Sequence, residues 1–263
     1  MDNYADERDF RLLEHDRYTF AVLSRILAGP CAITLTDHER LILCHSTAPY
    51  PVWIWTADAL SEAEIQRAWE IADAACPLAQ GHSYNRKYEL AEAFIARARA
   101  QGLNTRITTN MLAYDCPSLI TPIQPACGHL HRCTADDTEA VAAMIHEFHA
   151  SVGDTRFDID TCRSIAAHHI AGHFYFWKDA HGETVSCCSW QASNGLASVG
   201  SVYTIPEHRR KHYAQQLVYE VTRIVADSGL TPMLYTDADY TASNACYEKI
   251  GYVRRGRLCT IGS

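Results

Sequence analysis

Residues 198–214, SVGSVYTIPEHRRKHYA, constrain the fold more than any other stretch of the chain. The run opens with β-branched and aromatic residues, among them Val199, Val202, Tyr203 and Thr204, which suit a pleated, half-buried strand. Pro206 cannot continue a hydrogen-bonded ladder and ends it. A basic cluster follows, His208, Arg209, Arg210, Lys211 and His212, and the apolar spacing then predicts an amphipathic helix from Tyr213 to Asp227. A strand, a tight basic turn and a helix start together make a site for an anionic group. The first N–H groups of a helix have no partner within it, and the helix dipole favours negative charge there.

This cluster stands against an acidic background. The 263 residues carry a formal net charge of -8, which argues against general binding to nucleic acid or to an anionic membrane. With 48% hydrophobic and 21% charged residues, a globular protein with a sizeable core is expected, as one large or two small domains. Eleven cysteines is an odd count with irregular spacing and no C-x-x-C pair, so free thiols in a reducing compartment are expected. The N-terminal MDNYADERDF lacks the apolar core of a signal peptide. No stretch approaches the ~18 apolar residues of a membrane span, so a cytoplasmic location is expected.

In chain order, apolar spacing predicts one helix over 6–27, stopped by Gly29-Pro30, then strands over 41–44 and 52–55. The capping box Ser61-Glu-Ala-Glu64 opens a helix to about Ala75. A second helix is predicted over 84–100 and a strand over 105–114. Prolines crowd at Pro117, Pro122 and Pro125, which marks 117–127 as a linker between an N-terminal α/β domain, 1–116, and a C-terminal domain, 128–263. The second half reads as a strand over 128–133, helices over 134–150 and 161–171, and a hairpin over 174–191 around His181-Gly182. Strand 196–205, helix 213–227 and strand 233–236 then form a parallel crossover unit, followed by helix 242–250 and strand 252–261.

Val202 to Ala214, VYTIPEHRRKHYA, is similar to motif A of the GCN5-related N-acetyltransferase (GNAT) family, where a strand runs into a [RQ]-x-x-G-x-[GA] pyrophosphate loop. Residues 234–252, with Asn244, Tyr247, Lys249, Gly251 and Tyr252, look like motif B. The resemblance covers about 128–261, and the nearest group is the two-domain type whose N-terminal half is itself GNAT-like. It implies an α/β fold: a mixed, mostly antiparallel sheet with flanking helices and a parallel strand pair that splays apart. It also implies an acetyl-CoA dependent N-acetyltransferase in which a primary amine attacks the thioester directly.

For the site, the resemblance implies that the coenzyme lies against Val202, Tyr203, Thr204, Arg209, Arg210, Lys211, His212, Tyr213, Ala214, Gln215 and Asn244. The Val202 amide would follow a strand bulge and donate to the thioester oxygen; Gly200 is compatible with such a bulge. Tyr247 would be the general acid for the leaving thiolate. The base is open among Glu147, His149, Asp237, Asp239 and a water chain. His212 stands where the family pattern has glycine, and a side chain there is expected either to crowd the phosphate or, as a cation, to help hold it. The acceptor is a small-molecule or peptide amine, and the N-terminal half would close over it or form a homodimer. The alternatives are a non-catalytic acyl-CoA-binding or sensing module with a decayed site, and an interaction protein.

No metal site is expected. Cys127, His129, His131 and Cys133 share one strand face, but same-face residues stand about 6.6 Å apart and cannot surround one ion without a large bend. His168, His169 and His173 lack the glutamate of an H-E-x-x-H helix.

Overall fold

The computed structural model describes residues 1–153 and 157–263. Its contacts group into two compact units. The first is 1–113 together with 236–239 and 255–263; the second is 114–235 with 240–254.

In the first unit, helix α1 (Glu7–Glu14) and helix α2 (Ala21–Leu27) replace the single helix expected over 6–27. The break is tertiary. The Asp16 carboxylate accepts from the Trp55 indole N–H at 2.9 Å and pairs with Lys87 at 2.6 Å, and the following Tyr18-Thr19-Phe20 has weak helix propensity. Phe20 instead turns fully into the core. Strands β1 (Ile33–Thr36), β2 (Leu41–His45) and β3 (Val52–Thr56) form an antiparallel meander; β1 was not apparent from the sequence. Helix α3 (Glu62–Ala75) starts at the Ser61 capping box, as expected.

The stretch 84–100 differs from the expected helix. Tyr84–Arg86 is a strand, β4, and helix α4 (Tyr88–Ala100) begins only after Lys87, which is extended. All three β4 residues are buried, between β3 in parallel and residues 259–261 of the final strand β11 (Val253–Gly262) in antiparallel. Pairing on both sides overrides the helical spacing. The core of this unit gathers Leu43, Val52, Ile54, Trp69, Tyr84, Phe94 and Ile261 under α3 and α4. Strand β5 (Arg106–Asp115) follows.

β4 also buries a charge. Arg86 is 0% exposed, and none of its three guanidinium nitrogens has a hydrogen-bond partner among the described residues. The guanidinium lies 4.4 Å from the Phe94 ring centroid and 5.9 Å from that of Tyr84, and Arg86 stands opposite Cys259 in the β4/β11 pair.

The second unit opens with β6 (His129–Arg132), after which a capping box between Thr134 and Asp137 leads into α5 (Thr138–Ser151). Helix α6 (Ile159–Gly172) is capped by the Asp158 carboxylate. Strands β7 (Phe174–Lys178), β8 (Thr184–Ser193) and β9 (Leu196–Thr204) are successively antiparallel, and helix α7 (Tyr213–Asp227) then crosses to β10 (Thr231–Asp237), which runs parallel to β9. Val141, Ile145, Cys162, Ala166, Phe174, Phe176 and Tyr203 form its core with α5 and α6. Helix α8 (Thr241–Lys249) precedes β11. The architecture is mixed α/β, largely antiparallel, with the parallel strand pairs β3/β4 and β9/β10 and flanking helices. No helix among the described residues is long and apolar enough to cross a membrane.

Candidate active site

The parallel pair β9/β10 is in register only from Leu196↔Thr231 to Val199↔Leu234, although β9 continues to Thr204. The two strands therefore part beyond Val199. At the same level β9 is also irregular against β8: Ser189 faces Gly200 and Cys187 faces Tyr203, so Ser201 and Val202 together oppose Cys188 alone. This is a β-bulge, and it leaves one residue of β9 outside the ladder. The bulge follows Gly200, and its left-handed residue is Ser201, at φ 51°. A Cβ at Gly200 would meet nothing within 4 Å. Gly200→Ala is therefore expected to change stability by less than about 0.5 kcal/mol, whereas Ser201→Val costs roughly 1–2 kcal/mol because a β-branched residue is strained at positive φ. Urea denaturation of both variants checks this contrast.

After β9, Pro206–His208 makes one turn of 3-10 helix, and the chain enters α7 through residues of alternating handedness. Arg209 is extended, Arg210 lies at φ 61° and His212 at φ 64°. Alternation of this kind turns successive backbone N–H groups toward a common concavity that suits an anion. The N–H groups of Tyr213, Ala214 and Gln215 add the unsatisfied first turn of α7, which carries no acidic residue. Arg210, Lys211 and His212 are exposed. Arg209 is used otherwise: its Nε–H donates to the Thr204 carbonyl at 3.1 Å, and its guanidinium lies 5.7 Å from the Tyr203 ring centroid. It braces the end of β9.

The geometry also explains His212. The residue before α7 must be left-handed, a conformation glycine takes freely and histidine tolerates better than most residues. Its ring lies beside Gln215, Nδ1 to Oε1 at 3.3 Å. The position thus demands a backbone conformation first, and histidine meets it at some cost.

Tyr247 sits on α8 and is buried, 6% exposed. Burial pushes its phenol well above the ordinary tyrosine range, the charge of Cys246 adds to this, and a hydrogen bond with Ser243 partly offsets it. The Cys188 thiol, opposite the bulge, adds slightly to the same upward push. Its ring packs on Tyr252 at 6.1 Å, and the Tyr252 hydroxyl bonds Thr222 of α7 at 2.8 Å. Asn244 is half-buried one turn before Tyr247. Gly251 is left-handed at φ 104°, and a Cβ there would collide with the Ser118 carbonyl oxygen, which accounts for glycine after Lys249.

Of the side chains raised as a base, His149 stacks on Phe157 with ring centroids 3.6 Å apart. Asp237 and Asp239 group with the first unit, where Asn110 donates to Asp239 at 2.8 Å. Glu147 is exposed, and its charge acts on Tyr203 of β9. All eleven cysteines are free thiols.

Residues 180–260 match the family model of the FR47-like proteins, a span that holds the bulge, the basic turn and α8. No curated protein matches the chain in sequence. Among solved structures, a GCN5-related N-acetyltransferase from Kribbella flavida is similar over 95% of this chain and 95% of its own, with a TM-score of 0.66 at 17% identity. A Drosophila protein is similar over 97% of this chain and 89% of its own, with a TM-score of 0.65 at 14% identity. A GNAT-family acetyltransferase from Colwellia psychrerythraea is similar over 99% and 98%, with a TM-score of 0.56 at 11% identity. At these identities the likeness speaks to fold, while the FR47-like match speaks to the segment that carries the motifs. Residues 180–260 thus resemble the FR47-like proteins, and the fold is that of the GCN5-related N-acetyltransferase structures to which the chain is similar.

Proposed function

We propose that the protein is an acetyl-CoA dependent N-acetyltransferase that acts on a primary amine. The observation that carries the reading is the conjunction of the β9 bulge where β9 and β10 part, the alternating-handed turn into α7, and the buried Tyr247 nearby. The residues fit the coenzyme: the backbone N–H groups from Arg210 to Gln215 suit a pyrophosphate, with no carboxylate in the first turn of α7 to oppose it. Lys211 and Arg210 add positive charge, and Tyr203, Thr204 and Asn244 would flank the pantetheine arm. Bound acetyl-CoA would supply an activated thioester carbonyl and a thiolate leaving group.

The chain's own groups divide the remaining work. The amide of Val202, beside the bulge, would donate to the oxygen on which negative charge grows, and one such donor is worth about 3 kcal/mol. Tyr247 would hold a proton at its Oη for the departing sulfur. The net charge of -8 suits a cationic acceptor such as a polyamine, a lysine side chain or an amino sugar. Eleven unpaired thiols suit a reducing compartment such as the cytoplasm.

The test is acetyl-CoA binding by calorimetry, paired with free-thiol release over a panel of primary amines. His212→Gly relieves the left-handed residue and is expected to raise folding stability by up to about 1 kcal/mol of recovered strain while leaving acetyl-CoA affinity nearly unchanged. Ala214→Leu places bulk over the first-turn N–H groups and is expected to weaken it far more than Arg209→Ala does, since Arg209 braces the strand. Binding without turnover of any amine would instead favour an acyl-CoA sensing module. No binding at all would remove both readings.

A further inference from the structure

Three side chains of the first unit converge without any role in the reading above: His45 at the end of β2, Cys76 at the C-cap of α3, and His82 just before β4. One ligand atom from each lies within 4.8 Å of the other two. His45 and Cys76 are buried and His82 is half-buried. The local sequence builds this arrangement. Pro77 ends α3 directly after Cys76, Leu78–Gln80 makes one 3-10 turn, and Gly81, left-handed at φ 84°, reverses the chain so that His82 returns toward Cys76.

The hydrogen bonds fix what each imidazole offers. Nε2 of His45 faces the Tyr50 carbonyl at 3.1 Å, and Nδ1 of His82 faces the Pro77 carbonyl at 3.0 Å. A carbonyl oxygen only accepts, so each of these nitrogens carries the hydrogen. That leaves Nδ1 of His45 and Nε2 of His82 with bare lone pairs. Metal-ligating histidines are held in this way, with the second ring N–H donated to a carbonyl or carboxylate. Two other clusters of similar size differ. In one, His131 is bonded to Asp137 at 3.0 Å, and in the other His38 is bonded to Asp9 at 2.8 Å, so their ligand atoms already satisfy one another.

We propose that His45, Cys76 and His82 bind a zinc ion through one thiolate and two imidazoles, clamping the end of β2 to the connection between α3 and β4. Tetrahedral zinc with bonds of about 2.0–2.3 Å needs its ligand atoms roughly 3.5 Å apart, so any closing of the site on binding is small and falls mostly on the less buried His82. The Cys76 thiol loses its proton to solvent as the sulfur–zinc bond forms, and the imidazoles bind as they stand. Three protein ligands leave a fourth position free.

The experiment strips the full-length chain with a chelator and adds back zinc or, as a spectroscopic probe, cobalt(II). One zinc per chain is expected by elemental analysis, with a raised thermal midpoint, and cobalt should show tetrahedral visible bands with a thiolate charge-transfer band. His82→Ala is only half-buried and should keep the native circular dichroism while binding zinc at least about 100-fold more weakly. His131→Ala should bind as the wild type does. Failure of the wild type to retain zinc, a cobalt spectrum without the thiolate band, or equal binding by His82→Ala would each overturn the proposal.

Discussion

Tyr247→Phe is expected to lower kcat for amine acetylation about 100-fold or more, with acetyl-CoA affinity nearly unchanged. The substitution removes one hydroxyl and leaves the ring that packs on Tyr252 at 6.1 Å, so the fold should lose little. The effect should fall on kcat because the proton at Oη matters only as the thiolate departs, not while the coenzyme binds. Burial holds the phenol above its ordinary range, so it stays protonated through neutral and mildly alkaline pH. The wild type should accordingly show no alkaline loss of rate from this group within that window. An acidic limb, where one appears, reports the amine or its base. Steady-state rates of both proteins from pH 6 to 9, read by thiol release together with calorimetric binding of acetyl-CoA, decide the point. An unchanged kcat would leave Tyr247 a packing residue.

The parts of the site that the sequence carried are those set by neighbours in the chain. Strand residues up to Thr204, the stop at Pro206 and the apolar stripe of α7 are local patterns, and they appear where the pattern put them. The bulge itself was harder. Gly200 drew attention because glycine is permissive, yet the strained residue is its neighbour Ser201, whose conformation is imposed by the mismatch of β9 against β8. His212 stood out in the sequence as a side chain that would crowd a phosphate or help to hold it; that the position also takes a positive φ is visible only in the backbone. β4 was illegible for a related reason. Three residues cannot display a period, and what makes them a strand is pairing with residues near 52 and 260. The same holds for His45, Cys76 and His82, whose spacing matches no ligand motif and whose meeting depends on a turn at Gly81.

Arg86→Met is expected to stabilise the protein by about 3 kcal/mol, an unusual sign for a change at a fully buried site. The guanidinium is excluded from water and its three nitrogens have no hydrogen-bond partner among the described residues. Taking such an ion out of water costs several kcal/mol, and the Phe94 face 4.4 Å away returns about 2 kcal/mol at best. Methionine is unbranched and of similar reach, fills most of the same volume, and keeps a favourable sulfur contact with the ring. Arg86→Ala lacks that volume, and its cavity should offset much of the gain. The dependence on pH follows from the direction of the shift. Burial lowers the Arg86 guanidinium to about 9, below its ordinary value. Below pH 9 both folded and unfolded states hold the proton, so the penalty and the gain from methionine stay constant. Above it the unfolded state binds more protons than the folded one, which raises wild-type stability with pH and shrinks the difference between the two proteins. Urea melts at pH 7 and pH 10, fitted with a common slope, measure both effects. A lower midpoint for Arg86→Met at pH 7 would mean that the guanidinium is hydrogen-bonded in solution and that this strand holds its charge for use.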